Sequence, residues 1–136
     1  MNLFRNYPRF TRRLTGALHQ AGVPLLLGTD AMAAPLAIPG ASAHQELQLL
    51  IESGLTPYEA LRTATVNPAK FLGKEAEFRT ITVGKRADLM LASADPLVDI
   101  HTLKAPLGVM VRGQWLPSGK LTQVLLALAS EAERSR

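Results

Sequence analysis

The 136-residue sequence predicts an α/β fold, and three observations lead to that class. An unbroken apolar run, Val23-Pro24-Leu25-Leu26-Leu27, is typical of a parallel strand that is covered on both faces. Two helices with capping signals follow this run. From Glu75 onward the pattern changes to short β-prone stretches that are separated by Gly and Pro.

The first predicted helix covers residues 11–20, where apolar side chains recur at helical spacing, and Gly22 follows as a stop. The second helix is expected to start at Ser42, which has Gln45 three positions later. Their capping-box spacing lets each side chain satisfy a free backbone N–H. Gly54 supplies the left-handed conformation that commonly closes a helix.

A third helix is predicted from Pro57 to Val66, with Thr56 as its cap and Glu59 reaching back to it. The pair Asn67-Pro68 is expected to break this helix and to cap a further short turn that runs through Leu72.

The remainder of the chain predicts small strands and a terminal helix. The expected strands are Ile81–Val83, Ala87–Ala92, Val109–Val111 and Gln114–Leu116. Arg112-Gly113 is a candidate hairpin turn between the last two strands. We expect Asp88 to order a turn at a strand start, and Trp115 and Met110 to fill the core. The terminal helix begins near Leu121.

Composition excludes several classes of function. The net charge is +4, but the basic residues are scattered. Their only dense group, Arg5 to Arg13, is typical of a solvent-exposed helix face, so we expect no nucleic-acid partner. The absence of cysteine excludes disulfides and thiolate chemistry. No apolar run has the length of a signal peptide core or a membrane span, so we expect a cytoplasmic protein without a membrane partner.

Asp30 is the first candidate for chemistry. It follows the predicted buried strand at its carboxyl end, the edge where active sites gather in parallel α/β folds. The alternative is a turn or capping aspartate, since such residues are common where strands end.

The predicted elements do not close on themselves, because a single parallel strand has no parallel neighbour in this sequence. A partner chain, or an absent portion of the same protein, would have to supply the neighbouring strands.

Several segments in order resemble the C-terminal third of the amidohydrolase superfamily, nearest to its imidazolonepropionase and prolidase-like branch. The resemblance covers roughly residues 14–116 and is carried by Val23–Ala31, Ser42–Leu47, Gly54–Leu61, Ala64–Ala69, Leu72-Gly73, Ile81–Leu91 and Asp95–Ile100.

The resemblance implies a fold. Residues 1–73 would form the last strand and helices of a (β/α)8 TIM barrel, incomplete as a barrel. Residues 74–120 would form the C-terminal part of a composite β-sandwich, and residues 121–136 a terminal helix.

The resemblance also implies a function, the hydrolysis of a C–N bond in an amide, cyclic amide or dipeptide by metal-activated water. Asp30 matches the family's aspartate that binds the divalent metal, with zinc expected, and shuttles a proton to the leaving group. His44 matches a histidine near the substrate, although a surface or cap-associated histidine is the alternative.

The family's other metal ligands, a His-x-His pair, a bridging lysine or glutamate and two later histidines, have no counterpart in this sequence. We therefore expect the chain alone to hold no metal tightly and to be inactive. It would need the remaining barrel segment, in the same or a partner chain, and would otherwise self-associate, for example as a homo-oligomer. The alternative function is a non-catalytic truncated or split module that packs against such a partner.

The other polar residues favour structural roles. We expect His19 to be structural and His101 to lie on the surface. Glu46 would point about 200° away from His44 around the helix and could not share its site.

Overall fold

The computed structural model of the chain describes residues 3–31 and 38–134, and it confirms the α/β class. The helices are α1 (Leu3–Gln20), α2 (Ala41–Glu52), α3 (Pro57–Ala64), α4 (Val66–Phe71) and α5 (Ser118–Arg134), with a 3-10 helix at Ile100–Lys104. The strands are β1 (Leu89–Leu91), β2 (Gly108–Val111) and β3 (Gln114–Pro117). None of the helices in the described ranges is long and apolar enough to cross a membrane.

A small hydrophobic core joins α2, α3 and the 3-10 helix. Its buried members are Leu47, Leu50, Leu55, Ala60 and Ile100. Leu25 and Leu27, from the predicted strand, pack against this core and are themselves partly buried. The core therefore fixes one side of the segment that leads to Asp30.

Helix α1 packs against α2 at very close range. Gly16 is buried, and a Cβ atom at this position would come closer than 3.0 Å to the Ser53 carbonyl oxygen. An ion pair between Arg12 and Glu52, 2.7 Å apart, joins the same two helices. The expected start at residue 11 was wrong, since α1 begins at Leu3 and contains Pro8. Pro8 is the sixth residue of α1, so its missing N–H removes the bond that this position would make to the carbonyl four residues earlier.

The capping prediction was right for α3 and wrong for α2. Thr56 and Glu59 form the predicted capping box, with the Thr56 N–H donating to Glu59 Oε2 at 2.8 Å. Helix α2 instead begins at Ala41 with Gly40 as its N-cap and no side-chain cap. Ser42 is already inside the helix and buried, so its hydroxyl does not cap the helix.

The break after α3 falls two residues earlier than expected. Thr65 has φ −128° and ψ −73°, and it separates α3 from α4, so that Asn67 and Pro68 lie inside α4. Proline is tolerated there because the first N–H groups of a helix have no partner within the helix.

The three strands form one antiparallel sheet in the order β1-β2-β3, not closed as a barrel. The predicted two-residue turn joins β2 to β3, where Val111 pairs with Gln114, and Arg112 and Gly113 have φ values of 49° and 83°. Asp88 stabilises this turn, because its Oδ1 accepts from the Arg112 N–H at 2.7 Å. That bond and the Arg86 guanidinium keep the pKa of Asp88 below its usual value.

Two predictions for the β-rich part were wrong. Ile81–Val83 forms no strand and is solvent-exposed, because no other strand of the described chain lies beside it to pair with. Trp115 pairs with Met110 across the sheet, and its ring lies against Gly108. Trp115 remains 45% exposed, so it does not fill an enclosed core.

The predicted strand Val23–Leu27 is also not a strand in the described structure. A strand requires a hydrogen-bonded neighbour, and no strand of the described residues pairs with this segment. Its backbone is held instead by Leu18, which accepts from the Val23 N–H, and by Thr63, which accepts from the Leu27 N–H, both at 3.0 Å.

Candidate functional site

Asp30 lies at the end of a segment that has one covered and one open face. From Pro24 to Asp30 exposed residues alternate strictly with partly buried ones. Leu25 and Leu27 face the core, whereas Leu26, 42% exposed, Gly28 and Asp30 belong to the exposed set. From Pro24 to Thr29 this alternation is the pattern of extended backbone, and Asp30 follows at its end as an exposed residue.

The backbone and side chain of Asp30 are consistent with a functional role. Its φ is 51°, in the left-handed region that aspartate tolerates better than most residues. Its carboxylate makes no hydrogen bond or ion pair with the described part of the chain. A turn or capping aspartate would bind the N–H groups of residues 32 and 33, which lie outside the described residues, so the choice between the two interpretations stays a prediction.

Asn67 was missed as a residue of this site. Its Nδ2 donates a hydrogen bond to the Leu25 carbonyl oxygen at 2.8 Å, which ties α4 to the segment that carries Asp30. The sequence pattern around Asn67 indicated a helix break. No local signal links residues that are 42 positions apart.

A groove of about 600 Å³ runs beside the segment, between α1, α3 and α4. Leu26, Asn67 and Phe71 line it together with His19 and Glu59. His19 Nε2 lies 3.4 Å from Glu59 Oε1, which agrees with the structural role expected for this histidine.

His44 lies in the first turn of α2, as expected. Its Nδ1 is enclosed and has no hydrogen-bond partner among the described residues. Burial, and then the nearby Lys104 ammonium, lower the pKa of His44. No hydrogen bond or ion pair joins His44 to Asp30.

The remaining acidic and histidine candidates lie elsewhere. Glu46 lines a separate cavity between α1 and α2, and burial raises its pKa. This agrees with the expectation that Glu46 and His44 do not share a site. His101 is exposed on the 3-10 helix, as a surface residue should be.

The described residues fit a divalent metal only in part. Asp30 is an exposed carboxylate without a partner in residues 3–31 and 38–134, which suits one ligand. No group of three or more acidic or histidine side chains in residues 3–31 and 38–134 could hold a metal ion. A catalytic zinc site normally takes three protein ligands, so the described part of the chain does not supply a complete set.

Comparison with known proteins identifies the family. The chain is 35% identical over 92 residues to ochratoxinase from Aspergillus niger, a match that covers 66% of this chain and 18% of that protein. It is 39% identical over 79 residues to imidazolonepropionase from Shewanella baltica, with 54% of this chain and 18% of the relative covered. The chain thus spans about a fifth of the length of these relatives.

The solved structure of a protein from Bifidobacterium longum that is described as a prolidase superposes with a TM-score of 0.68 and 36% identity. The match covers 75% of this chain and 25% of that protein. The amidohydrolase family profile matches residues 7–116, most of the sequence. The chain therefore belongs to the amidohydrolase family.

Proposed function

We propose that the chain is the C-terminal part of a metal-dependent amidohydrolase that hydrolyses a C–N bond of an amide, cyclic amide or dipeptide. In this proposal residues 1–73 complete a (β/α)8 barrel, residues 74–120 a β-sandwich, and residues 121–136 form a terminal helix. The observation that carries the proposal is Asp30, an exposed carboxylate without a partner among the described residues, at the end of a segment that matches the family.

The open face of the segment supports a role within a larger barrel. Leu26 is exposed beside the groove. In residues 23–30, only the backbone N–H groups of Val23 and Leu27 donate to backbone acceptors in the described ranges. An apolar side chain and free backbone groups on an extended segment are what a neighbouring parallel strand would cover. We propose that this neighbour belongs to the remaining barrel, in the same or a partner chain.

The proposed chemistry of Asp30 is proton transfer. A bound divalent metal, with zinc expected, would lower the pKa of the attacking water. Asp30 would be one ligand of that metal, accept the proton that water loses, and deliver it to the departing nitrogen. His44 is the proposed substrate contact, on its match to the family's histidine near the substrate. Nothing in the described residues favours a non-catalytic packing module.

A chimera tests the function. Residues 7–116 would replace the matching segment of the Shewanella baltica imidazolonepropionase, and hydrolysis of imidazolone propionate would be measured. We expect Asp30→Asn to lower kcat by roughly 10²–10⁴-fold, the usual contribution of a general acid–base group. Asp95→Asn is the matched control, because Asp95 is exposed and caps only its own turn at Leu97. Equal rates for the two variants would refute the role of Asp30.

The isolated chain provides the complementary test. We expect it to bind zinc weakly in a calorimetric titration and to hydrolyse neither amides nor dipeptides. Tight, stoichiometric zinc binding together with turnover that Asp30→Asn abolishes would contradict the proposal that the site needs further residues.

A further inference from the structure

The segment that carries Asp30 is anchored to the junction of α3 and α4 by two hydrogen bonds. The Asn67 amide donates to the Leu25 carbonyl at 2.8 Å, and the Leu27 N–H donates to the Thr63 carbonyl at 3.0 Å. In extended backbone the carbonyl of one residue and the N–H two residues later point to the same edge. The two bonds therefore hold one edge of the segment at two adjacent points.

These anchors determine which residues face outward. Because exposure alternates with a period of two from Pro24 to Thr29, a shift by one residue would turn Thr29 towards the open face and displace the backbone on which Asp30 follows. Asp30 is only three residues beyond Leu27, so little backbone lies between the anchor and the carboxylate. The register of Leu25 and Leu27 on the helices thus sets the position of Asp30.

The junction itself is well suited to act as a fixed support. Thr63 and Ala69 are fully buried or nearly so, at 1% and 0% exposure, and they hold α3 and α4 in place. The Thr63 carbonyl lies in the last turn of α3, where no further helical N–H is available to it. Among the described residues, Asn67 is the one donor to the Leu25 carbonyl.

We infer that Asn67 is a positioning residue for Asp30: its side-chain amide sets the register of residues 25–30 and so the position of the Asp30 carboxylate. This inference rests on the proposed function of Asp30. Asn67 itself touches neither substrate nor metal in this account, and it acts only through the backbone of Leu25.

Two variants of the 136-residue chain test the inference, with a matched control. Asn67→Asp keeps the size of the side chain and removes the N–H donor, and Asn67→Ala removes the polar group altogether. Thr65→Ala is the control at the same junction, because the Thr65 hydroxyl bonds only to the Leu61 carbonyl of its own helix, at 2.8 Å.

Two measurements by nuclear magnetic resonance report on position. Native-state exchange of the Leu27 amide should become roughly tenfold faster in both Asn67 variants, the effect of losing about 1.4 kcal/mol. Exchange of the Leu50 amide in α2 should change by less than about twofold, since local openings are independent of the core. Residual dipolar couplings of Gly28, Thr29 and Asp30 should change in the Asn67 variants and stay constant in Thr65→Ala.

Three results would overturn the inference. The first is unchanged couplings at Asp30 in both Asn67 variants. The second is an equal change in Thr65→Ala. The third is evidence that the Asn67 variants alone lose the fold as a whole. That evidence would be a loss of protection at Leu50 as large as that at Leu27, or an unfolded circular dichroism spectrum. Either would make Asn67 a general folding residue. Zinc is absent from this experiment, so a failure of Asp30 as a ligand would show only in the chimera and leave the couplings as predicted.

Discussion

Replacing Gly16 by alanine should destabilise the chain, although alanine is the better helix former. In an α-helix the replacement of Gly by Ala is worth roughly 0.5–1 kcal/mol in favour of the folded state. At Gly16 the new Cβ would lie closer than 3.0 Å to the Ser53 carbonyl oxygen. This oxygen belongs to the backbone at the end of α2 and cannot rotate away, so α1 and α2 must separate.

Overpacking of this kind costs roughly 1–3 kcal/mol, which exceeds the gain in helix propensity. We therefore expect Gly16→Ala to lower the free energy of unfolding by about 1 kcal/mol net. Gly119→Ala in α5 is the matched control, because a Cβ there meets nothing within 4 Å. It should stabilise the chain by about 0.5 kcal/mol. Urea unfolding followed by circular dichroism measures both, and a Gly16→Ala variant at least as stable as the wild type would refute the close packing of α1 on α2.

Three further predictions concern caps and titrating groups. Thr56→Ala removes the α3 capping box and should cost about 1 kcal/mol in urea unfolding, and an unchanged midpoint would contradict that bond. The hydrogen bond from the Arg112 N–H, and then Arg86, lower the pKa of Asp88. The ionised Asp88 carboxylate should therefore stabilise the hairpin at neutral pH, and this stabilisation should be lost as the pH falls below about 4. The Gly113 amide shift should report this loss, and Asp88→Asn should flatten the profile. Burial and Lys104 lower the pKa of His44, so its proton resonances should titrate below 6.5, and the folded chain should lose stability as the pH falls below that value. Lys104→Gln should raise this pKa only partway, because burial is the larger cause, and a full return to 6.5 would contradict that order.

Features that depend on a few neighbouring residues could be predicted from the sequence. The α3 cap needs only Thr56 and Glu59, three positions apart, and the hairpin turn needs only the conformations of Arg112 and Gly113. The sequence also shows directly that Asp30 follows an apolar run, which made it a candidate residue.

Features set by distant contacts could not be predicted. The bond from Asn67 to Leu25 joins residues 42 positions apart, and the sequence around Asn67 indicates only a helix break. Ser42 has the right spacing for a cap, but it is buried inside a helix that begins one residue earlier. Val23–Leu27 has the composition of a strand, yet pairing requires neighbours that the described chain does not provide. In each case tertiary packing, rather than local preference, decides the outcome.

The zinc content of the chimera with imidazolonepropionase tests the proposed role of Asp30 most directly. Elemental analysis of the purified protein would be compared for the unmodified chimera, Asp30→Asn and the control Asp95→Asn. We expect Asp95→Asn to retain the metal of the unmodified chimera. Asp30→Asn should lose it or bind it at least tenfold more weakly, as expected when one ligand of a small set is removed. An Asp30→Asn chimera that is folded and holds zinc as tightly as the control would contradict the assignment of Asp30 as a metal ligand.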